Sequence, residues 1–241
     1  MRYAIFGDIH GNLEALEAVL EHAQSQQCDS YACLGDIVGY GGNPIECMNI
    51  VQEMNCPVVK GNHDEDSSQL GAAGNTNPIA LQAQEWTHNT LSEEQRQWLL
   101  DLRYVRQIDN FTIVHSSLDQ PKQWHYITNK FDATACMAYQ YTQICFVGHS
   151  HVPQMYVKSP VALSAHNEYH LAVEPNKKYL INIGSVGQPR DGDWRASYAI
   201  YDSDLQVINI YRLEYDIEKA QRAILNAGLP EALALRLAEG A

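Results

Sequence analysis

The chain has 241 residues, with 16 Lys and Arg against 29 Asp and Glu, hence a formal charge of −13. That length suits one domain, residues 1–241, with a real core, and no basic run tracks a phosphate backbone, which argues against long nucleic acid as the main ligand. The apolar start RYAIF is broken by Gly7 and Asp8, too short for a secretion signal or a membrane span, so a cytoplasmic protein without a membrane partner is expected.

In chain order, RYAIFG is the first strand candidate. Asn12 then caps the helix NLEALEAVLEHAQSQ, whose Leu13, Leu16, Val19 and Leu20 share one face. A second strand, SYACLG, runs through the glycine-rich GYGGNP to the helix PIECMNIVQEM, and a third, PVVKG, runs into GNHD. This is the rhythm of a parallel sheet with crossover helices. A polar stretch with Gly71, Gly74, Asn75 and Asn77 precedes two helices, Pro78 to Asn89 and Ser92 to Leu102, the second opened by the capping box SEEQ. These helices are expected over one face or the mouth of the sheet.

From Tyr104 the pattern turns β-rich: YVRQI, FTIVH, a helix near Asp132 to Tyr139, then QICFVGHSH, QMYVK, YHLAV, KYLINIG, ASYAIYD and LQVINIYRLEY. An amphipathic helical tail, Asp216 to Leu237, is broken at Gly228 and Pro230. No tandem repeat, low-complexity tract or linker interrupts this order. The expected fold is α/β (α+β by another count), two sheets packed face to face with helices outside. None of the cysteines forms a CxxC pair, and most sit in apolar patterns, as buried free thiols do.

Polar clusters recur at strand ends: GDIHGN at Gly7, GDIVGYGG at Gly35, GNHD at Gly61, VHSS at Val114 and GHSH at Gly148. In parallel sheets ligands bind at those ends. The candidate ligands are Asp8, His10, Asp36, Asn62, His115, His149 and His151. Carboxylates, imidazoles and one amide oxygen, without thiolates, suit two divalent cations of intermediate hardness, namely manganese, iron, zinc, nickel or cobalt. A lone D-x-H or H-x-H pair is more often a solvated loop, and GNHD or GYGG alone can be an ordinary turn. The whole set, each member following a strand, is what points to a site. The glycines beside these residues allow tight turns and close backbone approach. Outside the motifs, His22, His166 and His170 read as surface residues, whereas His125 in DQPKQWHYI is placed to overhang the pocket with Trp124 and Tyr126.

Taken in order, D-x-H, G-D, G-N-H-[DE], H and G-H-x-H, spanning Asp8 to His151, resemble the motifs of the calcineurin-like metallophosphoesterase superfamily. GDIVGYGGNP and GSVGQPRDGD are similar to the small bacterial and archaeal phosphoesterases of its YfcE-like group. The resemblance implies a four-layer α/β/β/α sandwich of two mixed sheets carrying a dinuclear metal centre. Asp8, His10 and His151 would hold one cation, Asn62, His115 and His149 the other, and Asp36 would bridge them. His63 would be the catalytic histidine beside the leaving group, donating to it when protonated. The implied activity is metal-dependent hydrolysis of a phosphodiester, phosphomonoester or nucleotide by in-line attack of a metal-bridging hydroxide.

Arg190 in GQPRDGD offers a planar fork for phosphate, unless Asp191 or Asp193 pairs with it as on an ordinary surface. Tyr40, His125, Tyr126 and Arg190 are the expected pocket rim, for a small phosphorylated substrate, and a homo-oligomer is compatible with the sequence. Gly39 stands where many members carry an acidic residue, so an acidic partner for His63 is missing there, Asp64 being near in sequence. Ser116 replaces a common glycine, and the absence of a D-R-G extension argues against a protein phosphatase. Two other readings compete. A metal-free scaffold on the same fold would have eroded ligands, and here the set is intact; a dinucleotide-binding oxidoreductase would carry GxGxxG after the first strand, and none is there.

Overall fold

Two apolar clusters lie on opposite faces of β1 (Arg2–Phe6). Tyr3 and Ile5 point into one and Ala4 and Phe6 into the other, the period-two alternation of a strand buried on both sides. The computed structural model describes residues 1–72, 74 and 77–241, so Asn75 of the polar stretch lies outside the described residues.

With β2 (Ser30–Cys33), β8 (His170–Ala172), β10 (Ala196–Asp202) and β11 (Val207–Leu213), the first strand forms a five-stranded sheet in the order β2-β1-β10-β11-β8. β1 and β2 run parallel and the other neighbours antiparallel. The second sheet has six strands: β3 (Val105–Ile108), β4 (Phe111–Val114), β5 (Ile144–Val147), β6 (Gln154–Lys158), β7 (Leu163–His166) and β9 (Lys178–Asn182), ordered β3-β4-β5-β9-β6-β7. Its central strands β4, β5 and β9 are parallel, with antiparallel flanks.

Between the sheets, Phe111, Ile113, Phe146 and Ile181 meet Tyr3, Ile5, Ala199 and Tyr201. The Phe111 ring stands edge-on to Tyr3, Phe146 and Tyr201, a favoured aromatic geometry. Outside, α1 (Leu13–Ser25) and α2 (Pro44–Glu53) bury Leu16, Val19, Met48 and Val51 against the first sheet. α6 (Lys130–Ala138) buries Ala133, Cys136 and Met137 against Cys145, Val147 and Leu180 of the second. The four layers expected from the sequence are present.

A separate cluster gathers at one end. α4 (Pro78–Thr90), α7 (Ile217–Asn226) and α8 (Glu231–Glu239) pack Ala80, Ala83, Ile224, Leu233 and Leu237 around Tyr40. α5 (Glu93–Asp101) follows α4, and its Ser92 cap and Gln95 close the expected capping box.

Three local expectations need correction. PVVKG makes only isolated bridges, Val58 to Cys33 and Val59 to Arg103, because the chain crosses its neighbours too briefly for a ladder. GNHD does not stay a loop: it opens α3 (Asn62–Ser68), with Asp64 closing back on the Gly61 amide. His22 is half-buried, its Nδ1 2.7 Å from the Tyr198 hydroxyl, rather than a free surface residue. The cysteines are free, as expected, and no described helix is long and apolar enough to cross a membrane.

Candidate metal centre

The loops that end the strands carry backbone strain. Asp8, His10, Asp36, His149 and His151 all have left-handed φ, between 48° and 66°, a conformation that costs a side-chain-bearing residue roughly 1–3 kcal/mol and persists only where the surroundings enforce it. The enforcement is visible. The loops after β1 and β2 are zipped together by Asp8 N–H to Gly35 O, His10 N–H to Asp36 O and Gly11 N–H to Ile37 O, each 2.9 Å. A Cβ on Gly61 would sit 2.0 Å from Asp36 Oδ1, and one on Gly148 would sit 2.2 Å from Asp8 Oδ2, so these glycines make the room in which the carboxylates lie.

The side chains converge. Asp8, His10, Asp36 and His151 each place one donor atom within 4.8 Å of the others, and Asp36, His115 and His149 form a second such group. Asn62 Oδ1 joins the second, 3.2 Å from His115 Nε2. Every candidate ligand from the sequence is thus brought into one cluster, with Asp36 common to both groups.

Backbone carbonyls set the orientation of each ring. His115 Nδ1 lies 2.8 Å from Leu34 O, His151 Nδ1 2.6 Å from Gln188 O, His10 Nδ1 3.3 Å from Val38 O and His149 Nε2 2.8 Å from Trp124 O. A carbonyl accepts only, so the proton of the neutral ring belongs on that nitrogen and the other nitrogen turns a lone pair toward the cluster. This is how ligating histidines are held in metal sites.

Charge follows from the same packing. Burial opposes ionisation of Asp8 and Asp36, yet the surrounding imidazoles, His151 for Asp8 and His115 for Asp36, hold both below the usual carboxylate range. Burial also opposes the His115 cation, but Asp36 prevails and lifts it to about 9. His149 is pushed down to about 3 by burial and the adjacent His115, and burial leads in lowering His10 and His151. Two carboxylates, the lone pairs of His10, His149 and His151, an amide oxygen and His115, which would give up its second proton to a cation, fit hard-to-intermediate divalent cations.

Above the cluster lies an open cleft of about 320 Å³. Tyr40, His63, Trp124, Tyr126 and Arg190 are among its walls, as are Asn62 and His149 of the cluster. The Tyr126 ring stacks on His149 at 4.0 Å, and the Tyr40 ring lies 4.3 Å from His63. His63 Nδ1 is buried without a hydrogen-bond partner, which leaves Nε2 as the nitrogen facing the cleft. Burial, aided by the Arg190 charge, lowers His63 to about 4, so the ring is neutral at rest rather than protonated.

Arg190 has no carboxylate partner among the described residues, since Asp191 pairs with Arg212 and Asp193 with Arg195 and Arg212. His125 is a correction: it is exposed and is not among the cleft's walls, while Trp124 before it and Tyr126 after it are. Left-handed backbone at Gln120 and Trp124 turns the loop so that Trp124 points inward. Asp64 is not a partner of His63 either. Its carboxylate accepts from the amides of Asp36 and Ile37 at 2.8 Å and of Gly61 at 3.0 Å, clamping the loop that presents Asp36. That role went unread because nothing in the letters GNHD says which way the acid turns. Gly39 also gains a reason: a Cβ there would stand 2.7 Å from His63 Nδ1.

The fold and these residues can be set beside known proteins. The family description "Calcineurin-like phosphoesterase superfamily domain" matches residues 1–205. The chain belongs to this superfamily. It is 39% identical over 238 residues to an uncharacterized protein of Methanocaldococcus jannaschii, covering 97% of this chain and 96% of that one. It is also similar to the crystal structure of a metallophosphoesterase from Sphaerobacter thermophilus, at 40% identity and a TM-score of 0.87 over the whole of both chains. A hypothetical protein of Pyrococcus horikoshii shares the fold, at 20% identity and a TM-score of 0.81, over 100% of this chain and 98% of that one. Superfamily membership and the buried Asp/His cluster together make this chain a metal-dependent phosphoesterase by kind.

Proposed function

We propose that the protein hydrolyses phosphodiesters of small, nucleotide-like molecules at a two-cation centre. The observation that carries this reading is Asp36, whose carboxylate belongs to both donor groups. Asp8, His10 and His151 would hold the first cation, Asn62, His115 and His149 the second, with Asp36 shared between them. Cations held there would supply Lewis-acid charge for the phosphoryl oxygens and lower the pKa of water; manganese, iron, zinc, nickel and cobalt all suit the donors.

The chain's own residues do the rest. Arg190, free of acidic partners, binds a phosphoryl oxygen through its guanidinium. His63 Nε2 faces the leaving-group oxygen, where a neutral ring gives a hydrogen bond and an arriving anion draws its pKa upward. Tyr40 and Tyr126 bound the cleft and orient the organic part of the ester.

The test is metal content together with hydrolysis of bis(p-nitrophenyl) phosphate and p-nitrophenyl phosphate, with added manganese, in the wild type, Asp36→Asn and His63→Ala. Metal-dependent diester cleavage lost in both variants, with metal retained in His63→Ala, supports the assignment. Folded protein that binds no metal and cleaves neither ester overturns it and leaves the scaffold reading.

A further inference from the structure

Two guanidinium groups flank one tyrosine beside the cleft. Arg190, in the loop before β10, and Arg236, on α8, each lie 5.9 Å from the centre of the Tyr40 ring. Among the described residues neither pairs with an Asp or Glu side chain, and the nearest acids in sequence to Arg190 are engaged elsewhere. Arg236 gives its Nε proton to an oxygen of Ala241, and no partner is seen for its terminal amino groups among the described residues.

Half-buried like charges around one ring repel each other, and a chain keeps them at a cost unless something anionic answers them. Tyr40 is the wall between two spaces. On one side is the cleft with Arg190 and the cluster; on the other is a recess of about 230 Å³ lined by Asn77, Ile79, Ala80, Leu233 and Arg236. Arg236 lies on α8, beyond residue 205, where the superfamily match ends.

We propose that Arg236 and this recess form a second anion subsite, which takes a further phosphoryl group of the substrate while the scissile one sits over the metal-ligand cluster. This rests on the phosphoesterase reading above and narrows it. The favoured substrates are phosphodiesters carrying a second phosphate over those without one, and nucleoside diphosphates and bisphosphates serve as two-phosphate binding probes of the same pair of sites. Ile79, Ala80 and Leu233 line the recess beside the guanidinium, so the charge is met at a partly apolar surface where a charge-assisted bond is strong.

Calorimetric titration with adenosine 5′-monophosphate, 5′-diphosphate and 3′,5′-bisphosphate, in a fixed excess of manganese, tests this on the wild type, Arg236→Gln and Arg236→Lys. At least one doubly phosphorylated ligand should bind the wild type about tenfold tighter than the monophosphate. That advantage should vanish in Arg236→Gln and persist in part in Arg236→Lys, with all three proteins melting alike. Equal affinities in the wild type, or an advantage unchanged in Arg236→Gln, would overturn the subsite. Hydrolysis of bis(p-nitrophenyl) phosphate by the same samples separates the two readings: its absence counts against the phosphoesterase alone, since the binding ratios are read without turnover.

Discussion

His10 Nε2 stands 3.1 Å from His151 Nε2, and neither can donate to the other, because each ring directs its Nδ1 at a backbone carbonyl. Asp8 Oδ1 faces the same point, 3.2 Å from His151 Nε2. Converging lone pairs repel until a cation comes between them. Divalent cations should therefore stabilise the protein, by about 2.7 kcal/mol for one site at a free concentration a hundredfold above Kd. Thermal unfolding with chelator and with manganese measures this, and His151→Ala should lose most of the gain. A melting temperature indifferent to every divalent cation tried would refute it.

Asp64 invites a second substitution. Its carboxylate satisfies the buried amides of Asp36, Ile37 and Gly61, so Asp64→Ala leaves donors unpaired and should cost about 3 kcal/mol. Metal content should fall as well, since the freed loop is the one that presents Asp36. Asp64→Asn keeps an accepting oxygen and should lose less. Urea unfolding with the slope unchanged, alongside metal analysis, reads both effects. A loss within about 0.5 kcal/mol for the alanine variant would show that water replaces the clamp.

What could be read from the letters was what side-chain type and order encode. Asp8, His10, Asp36, His115, His149 and His151 were legible because each follows a strand, and Asn62 because it follows the apolar run PVVKG beside them; such ends on one side of a sheet converge. What stayed hidden depends on backbone direction. The carbonyls of Leu34, Val38, Trp124 and Gln188, which orient the histidines, carry no letter of their own. The left-handed backbone at Trp124 keeps Trp124 at the cleft as expected but leaves His125 exposed, and Arg236 reaches Tyr40 only through the packing of α8.

Gly39 offers a way to disturb His63 without touching it. With φ at 89° and a prospective Cβ only 2.7 Å from His63 Nδ1, Gly39→Ala must displace either the loop or the ring. Turnover should fall toward that of His63→Ala, itself expected to lose about 10²–10⁴-fold as a proton donor would. Both variants should retain wild-type metal content. Full activity in Gly39→Ala would mean that the ring's position is not critical.

The loop that carries Arg190 is anchored by its other charges, and their strength should depend on pH. Arg212, 3% exposed, pairs with Asp191 at 2.9 Å and with Asp193 at 3.3 Å, while Arg195 meets Asp193 at 2.7 Å. The Arg195 hydrogen bond leads in holding Asp193 down to about 2, against 3.8 for the free group. A carboxylate whose pKa is lower in the folded than in the unfolded chain stabilises above the unfolded value and loses that contribution as pH falls through the folded one. The full shift would be worth about 2 kcal/mol, but Asp193 is 27% and Arg195 43% exposed, and screening by water leaves about 1 kcal/mol. Asp193→Asn should therefore be less stable than the wild type at pH 7 by about that amount. The gap should close between about pH 4 and pH 2, and shrink in 1 M salt. Urea unfolding across that range decides it: a gap that stays constant to pH 2 would mean that Asp193 acts through its shape and not its charge.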